Sequence, residues 1–205
     1  MTNLETEALY SIVLQPNELF YEECSVFLKK NNLGLNLFNN QINFNFLIKA
    51  PFYLSHLYSE KDMIDYIKKN NTSELQDIFD NRYKFISNSI INNQFVLLFE
   101  DDQKLNFFKN NIMRKFDIYR KTLDPIEVKK DISRFNNLSE KELHYYQIWG
   151  YPYYFEFSNH YIPIIENKNI NSFESNFIQV QYKSLKLLKQ KNIKNDEYIE
   201  LISIS

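Results

Sequence analysis

Only two of the 205 residues are glycine, Gly34 and Gly150, and that scarcity limits what the chain can build more than any other feature. At the usual frequency of about 7% a protein of this length carries roughly fourteen. Loops that cradle phosphate need residues without a Cβ, so that backbone N–H groups can close on the ligand in spacings such as GxGxxG or GxxxxGK[ST]. Neither spacing occurs, nor does the GxSxG nucleophile elbow or the glycine-rich loop of protein kinases. Rossmann oxidoreductases, P-loop NTPases and α/β-hydrolases are thereby disfavoured.

Part of this bias is compositional. The chain holds 27 Asn, and its 24 basic residues divide into 20 Lys and 4 Arg. That is the pattern an AT-rich coding sequence produces, and it also depletes glycine, whose codons are GC-rich. The absent motifs remain absent whatever the cause of the count.

With 44% hydrophobic residues the chain can bury a substantial core without staples. Cys24 is the single cysteine, which leaves no disulfide framework or CxxC knuckle and suits a reducing compartment. Residues 1–26 carry five glutamates and no lysine or arginine, the reverse of a signal peptide's basic start. No apolar run approaches the roughly 18 residues of a membrane-spanning helix. A soluble, cytoplasmic protein is expected, with no cofactor.

Apolar periodicity and capping residues predict helices over Asn3–Leu14, after Asn17 (with Phe20, Cys24, Phe27 and Leu28 inward), around His56, after Ser59, and from Thr72 or Ser73 through Ile90. Further helices are expected from Leu105 to Tyr119, after Asp124-Pro125, after the Ser139/Glu142 capping box, and over Ser172–Lys191. Gly34 fits the left-handed position that ends the second of these helices. Strands are expected at 42–48, Gln94–Phe99 and Tyr198–Ile204, with a hairpin of Tyr153–Phe157 and His160–Ile165 in which Pro163 confines its strand to an edge or a bulge. The expected fold is a single α+β domain over 1–205, mainly helical, with a small antiparallel sheet, a C-terminal hairpin and a candidate sub-boundary near 136–139.

Three groups of residues could carry function. The segment 144–161 packs nine aromatics, the only tryptophan and one of the two glycines into eighteen residues. Tyrosine and tryptophan combine large rigid contact area with a polar tip, so Trp149, Tyr151, Tyr153, Tyr154 and Tyr161 are candidate partner-binding residues. The same rings could instead be core.

His144 and His160 are candidate acid–base residues should the hairpin fold back on the preceding helix. Glu100, Asp101 and Asp102 follow an apolar strand, where carboxylates can hold a divalent ion, although Asp102 also suits the N-cap of the next helix.

Charge is uneven within a net of −2. Basic side chains at Arg114 and Arg120, and at Lys183, Lys186 and Lys189, lie on segments expected to be helical over 104–134 and 183–194 and could track phosphates. A non-enzymatic interaction protein, such as an adaptor or an inhibitor of the immunity-protein kind, leads these readings. A hydrolase or nuclease and a nucleic-acid binder are the alternatives.

Overall fold

The computed structural model describes residues 8–30, 44–70, 73–91, 94–133, 135, 138–152, 160–166, 179–192 and 195–205. The elements run β1 (Leu9–Pro16), α1 (Glu18–Lys30), β2 (Phe46–Tyr53), α2 (Glu60–Asn70), α3 (Ser73–Asp80), β3 (Tyr83–Ile91), β4 (Gln94–Phe99), α4 (Gln103–Phe116), α5 (Pro125–Ile132), α6 (Glu140–Trp149), β5 (Tyr161–Glu166), β6 (Gln179–Val180), β7 (Tyr182–Asn192) and β8 (Asn195–Ile204). A short 3-10 turn, Asp117–Tyr119, extends α4.

The strands form two four-stranded antiparallel sheets, ordered β2-β1-β7-β8 and β5-β4-β3-β6. Helix and strand are roughly balanced, so the expectation of a mainly helical protein is overturned. The physical reason lies in three segments. Leu9–Leu14 is buried along its length because β1 sits between β2 and β7, and a strand buried on both faces loses the alternation that distinguishes it from a helix.

The helix expected over Ser172–Lys191 is, where the chain is described, β6 followed by β7. Its Lys183, Lys186 and Lys189 imitate a helical period, yet pairing with β1 from Pro16↔Tyr182 to Leu9↔Gln190 overrides that local preference. The helix expected to reach Ile90 ends at Asp80, and β3 takes over. His56 lies in a turn after β2, and Pro51 lies inside that strand.

Elsewhere local chemistry dictates the element. Asn17 Oδ1 accepts from the Phe20 N–H at 3.2 Å at the start of α1, which buries Phe20, Cys24, Phe27 and Leu28. Ser59 and Asp62 cap α2 reciprocally. Asp124 with Glu127, and Ser139 with Glu142, form capping boxes at α5 and α6. Pro163 sits on the edge strand β5, beside the register shift opposite Phe95 and Val96.

One core cluster draws on both sheets and on α1, α2, α3 and α4. Phe27 of α1 stacks on Phe95 of β4 with ring centroids 5.6 Å apart. The segment entering β2 also meets the second sheet through the backbone, where the Phe44 N–H donates to the Pro163 carbonyl at 2.7 Å. Phe44 adopts φ 65° to make this bond, an unfavourable left-handed conformation for a bulky residue, and it is fully buried. No helix among the described residues is long and apolar enough to cross a membrane.

Candidate functional site

The described part of the aromatic segment is a latch at the end of α6. Gly150 closes the helix with φ 72°, and its N–H donates to the Tyr146 carbonyl at 2.8 Å. The Arg120 guanidinium packs against it, donating to the Ile148 carbonyl at 2.8 Å and to both carboxylate oxygens of Asp117 at 2.8 and 3.3 Å.

Asp117 also takes the ammonium of Lys49 at 3.2 Å. Lys49 is fully buried in β2, and burial pushes its pKa down to about 8 against the opposing pull of Asp117. Arg120 therefore ties α6 to the 3-10 turn, and the Asp117–Lys49 contact carries the tie into the first sheet.

Around this polar knot, Trp149 and Tyr151 are half-buried and, with Leu47, pack on the buried pair Ala50 and Met113. Phe135 bridges Tyr146 and Tyr151 with ring centroids 5.9 and 5.7 Å away. The Tyr146 hydroxyl donates to Asp131 of α5 at 2.8 Å in a buried bond. Ile148 and His144, one helical turn apart, are exposed on α6. Tyr161 is half-buried on β5, and Tyr153 and Tyr154 lie outside the described residues.

The two candidate histidines have different environments. His144 is exposed, whereas His160 is buried among Phe46, Tyr83 and Phe99, whose ring centroids stand 4.7, 5.0 and 5.3 Å away. His160 Nδ1 lies 3.0 Å from the Glu100 carbonyl, and Nε2 lies 2.5 Å from the Tyr182 hydroxyl. A carbonyl can only accept, which assigns the proton to Nδ1 and leaves Nε2 to accept from Tyr182. Burial holds the imidazole pKa down to about 4, with nearby Lys109 acting in the same direction. The ring is a neutral, satisfied core group.

The three carboxylates after β4 also separate. The Glu100 side chain accepts from the Lys84 N–H at 3.2 Å, and Asp102 caps α4 by accepting from the Leu105 N–H at 2.7 Å. Asp101 and Asp102 face a cleft that they share with Asp77, Asp80 and Asn81. Among the described residues no group of three or more His, Cys, Asp or Glu side chains has the arrangement to hold a metal ion.

Three lysines of β7 meet acids from other elements: Lys183 with Glu18, Lys186 with Glu200 at 2.6 Å, and Lys189 with Glu60 at 2.5 Å. These lysines belong to a strand, a correction to the helix expected over 183–194. Arg114 is exposed in the last turn of α4.

Sequence reasoning missed Lys49, Asp117, Lys109 and Tyr182. A lysine inside the apolar run Leu47-Ile48-Lys49-Ala50-Pro51-Phe52 was the available signal for the first. Lys109 is buried on α4 with its ammonium 4.8 Å from the centre of the Phe46 ring, and burial pushes its pKa down to about 7.

The fold and this latch define an α+β protein of two antiparallel sheets, with a packed aromatic end on α6. The chain belongs to the family described as a protein of unknown function (DUF1045), whose model matches residues 47–169. That span runs from β2 past β5 and contains the latch, His160 and the acidic cleft, while β1, β7 and β8 of the first sheet lie outside it. No curated protein matches the chain.

Proposed function

We propose that the protein is a non-enzymatic binding module that holds a protein partner on the α6 end, with Ile148, Trp149 and Tyr151 as contact residues and His144 beside them. The observation that carries this reading is the fixed position of the half-buried Trp149 and Tyr151 next to Ile148, which is 44% exposed. Aromatic anchors fixed before binding lose little entropy when a partner covers them. The occupied ring nitrogens of His160 and the capping role of Asp102 support a binding reading over a catalytic one. A cytoplasmic location fits the single thiol, Cys24, which burial pushes up and keeps unreactive.

The test is affinity purification from native cells with the wild-type chain and with Ile148→Glu. A partner retained by the wild type and lost from the variant, with an unchanged melting temperature, is the expected result. Equal recovery by both would remove α6 from the interface, and hydrolytic activity abolished by His144→Ala would replace this reading with an enzymatic one.

A further inference from the structure

The nine-residue strand β3 uses its two edges unequally. On one edge β4 pairs with it from Phe85 to Ile91, whereas on the other, among the described residues, the pairing with β6 stops at Tyr83 and Lys84. Residues 85–91 therefore form a stretch of outer edge between the end of β6 and the link to β4, and its middle residue is Asn88.

That stretch holds no charged residue and no proline, the usual guards of a sheet edge. Two of its apolar side chains stand in solvent, Ile86 at 63% and Ile90 at 52% exposure. The one irregularity, a register shift against β4 between Phe85 and Ser87, sits at the β6 end, and pairing is regular from Ser87 to Ile91.

The stretch is also its own complement. Ile86-Ser87-Asn88-Ser89-Ile90 reads the same in both directions, and its centre is the centre of the outer edge. An antiparallel pair of two copies about a twofold axis at Asn88 sets Ile86 against Ile90, Ser87 against Ser89 and Asn88 against Asn88. Apolar groups then face apolar groups, polar face polar, and no like charges oppose each other. The incoming strand runs from Ile91 to Phe85 and ends where β6 begins. A foreign strand gains nothing from the palindrome, whereas a twofold pair requires every residue to suit its mirror position.

We propose that the outer edge of β3 docks the same edge of a second copy of this chain, joining β5, β4 and β3 of each copy in one continuous antiparallel sheet. Seven residues a side fall well short of the roughly 20–30 of a standard interface, so the dimer is weak and reversible. It lies on the second sheet and does not rest on the α6 reading.

Sedimentation equilibrium of the full chain from about 1 µM to 1 mM should show a monomer–dimer equilibrium with Kd of order 10–100 µM. Ile90→Lys should weaken it at least tenfold with an unchanged melting temperature. Ile86→Lys/Ile90→Glu, which sets lysine against glutamate across the axis, should recover most of the loss that Ile86→Lys causes alone. Asn88→Cys tests the axis itself, since its thiol meets that of the second copy at a separation a disulfide can span. Oxidation with diamide should convert most of this variant to a covalent dimer, and little of Ser87→Cys.

A monomer throughout that range, a dimer indifferent to Ile90→Lys, or equal cross-linking of Asn88→Cys and Ser87→Cys would overturn the proposal. So would full protection of every backbone amide of residues 87–91 from hydrogen exchange at about 1 µM, far below the expected Kd, which would assign the edge to this chain's own residues. Ile148→Glu should leave the dimer intact, and a dimer lost through that variant would move the contact to the α6 end.

Discussion

A Cβ placed on Gly150 would lie 2.9 Å from Cδ of Arg120, closer than packed side chains tolerate, and the φ of 72° at the same position disfavours any side chain. Gly150→Ala should therefore destabilise the protein by about 1–3 kcal/mol, through strain and through displacement of the guanidinium from Asp117 and the Ile148 carbonyl. Measured by urea denaturation, the cost should be smaller in an Arg120→Ala background, where the steric conflict is gone and about 1 kcal/mol of conformational strain remains. Equal costs in both backgrounds would show that the contact does not matter.

The half-buried Trp149 and the exposed Ile148 separate packing from recognition. Trp149→Ala removes an indole packed on the Ala50 and Met113 pair and should cost about 1–3 kcal/mol. Ile148→Glu should change stability by no more than about 0.5 kcal/mol. Because Trp149 is the only tryptophan, its emission follows the latch directly, and a red shift in Gly150→Ala is expected to accompany the loss of stability.

Acid sensitivity should come in part from His160. Its folded-state pKa of about 4 lies below the unfolded value of about 6.5, so the unfolded chain binds the extra proton between these limits. The stability this contributes is complete above pH 6.5 and falls as the pH drops through 4, by an amount on the order of 3 kcal/mol. His160→Gln should flatten the dependence of melting temperature on pH in that window. Tyr182→Phe leaves Nε2 without its donor, and should cost about 1–3 kcal/mol at pH 7.

The buried lysines extend the slope to higher pH. Lys49 and Lys109 titrate near 8 and 7 in the folded state and near 10.4 when unfolded, so the unfolded chain again holds more protons, and stability should rise between pH 7 and about 10. Above pH 10 the trend reverses, because buried Tyr10, Tyr83 and Tyr182 are pushed well above the usual phenol range. Lys109→Met, which replaces a buried ammonium by an apolar chain of similar length, should raise the melting temperature at pH 7 and shrink the rise toward pH 10. A fall in stability for this variant below about pH 7 that disappears at higher pH would show that the charged form of Lys109 is needed in the core.

What was legible in the sequence was local. Asn17, Ser59, Asp124 and Ser139 announce helix starts because each side chain bonds backbone N–H groups within three residues, and such bonds survive in almost any tertiary setting. Pro163 could be assigned to an edge or a bulge because a residue without an N–H cannot serve both neighbours in a sheet. The left-handed end of α6 falls on Gly150, one of the two residues of the chain without a Cβ.

Pairing was not legible. Leu9–Leu14 and Tyr182–Asn192 carry apolar and lysine spacings compatible with helices, and become strands because each supplies hydrogen bonds and apolar cover to the other across more than 160 residues of sequence. The same limit applies to the candidate sites. His160 had the residue type of a catalytic base, and only the Glu100 carbonyl and Tyr182 hydroxyl brought to its ring make it a core group. Asp101 and Asp102 acquired Asp77 and Asp80 as neighbours only when α3 packed beside α4.

By itself, the sequence determined the helix caps, the absence of glycine-rich phosphate-loop motifs and the position of the one aromatic-rich segment, because these rest on residues close together in the chain. The tertiary structure alone decided the balance of helix and strand, the burial of His160 and Lys109, and the meeting of Arg120 with Gly150. Those outcomes depend on which distant segments exclude water from one another, and no local pattern in the chain encodes that choice.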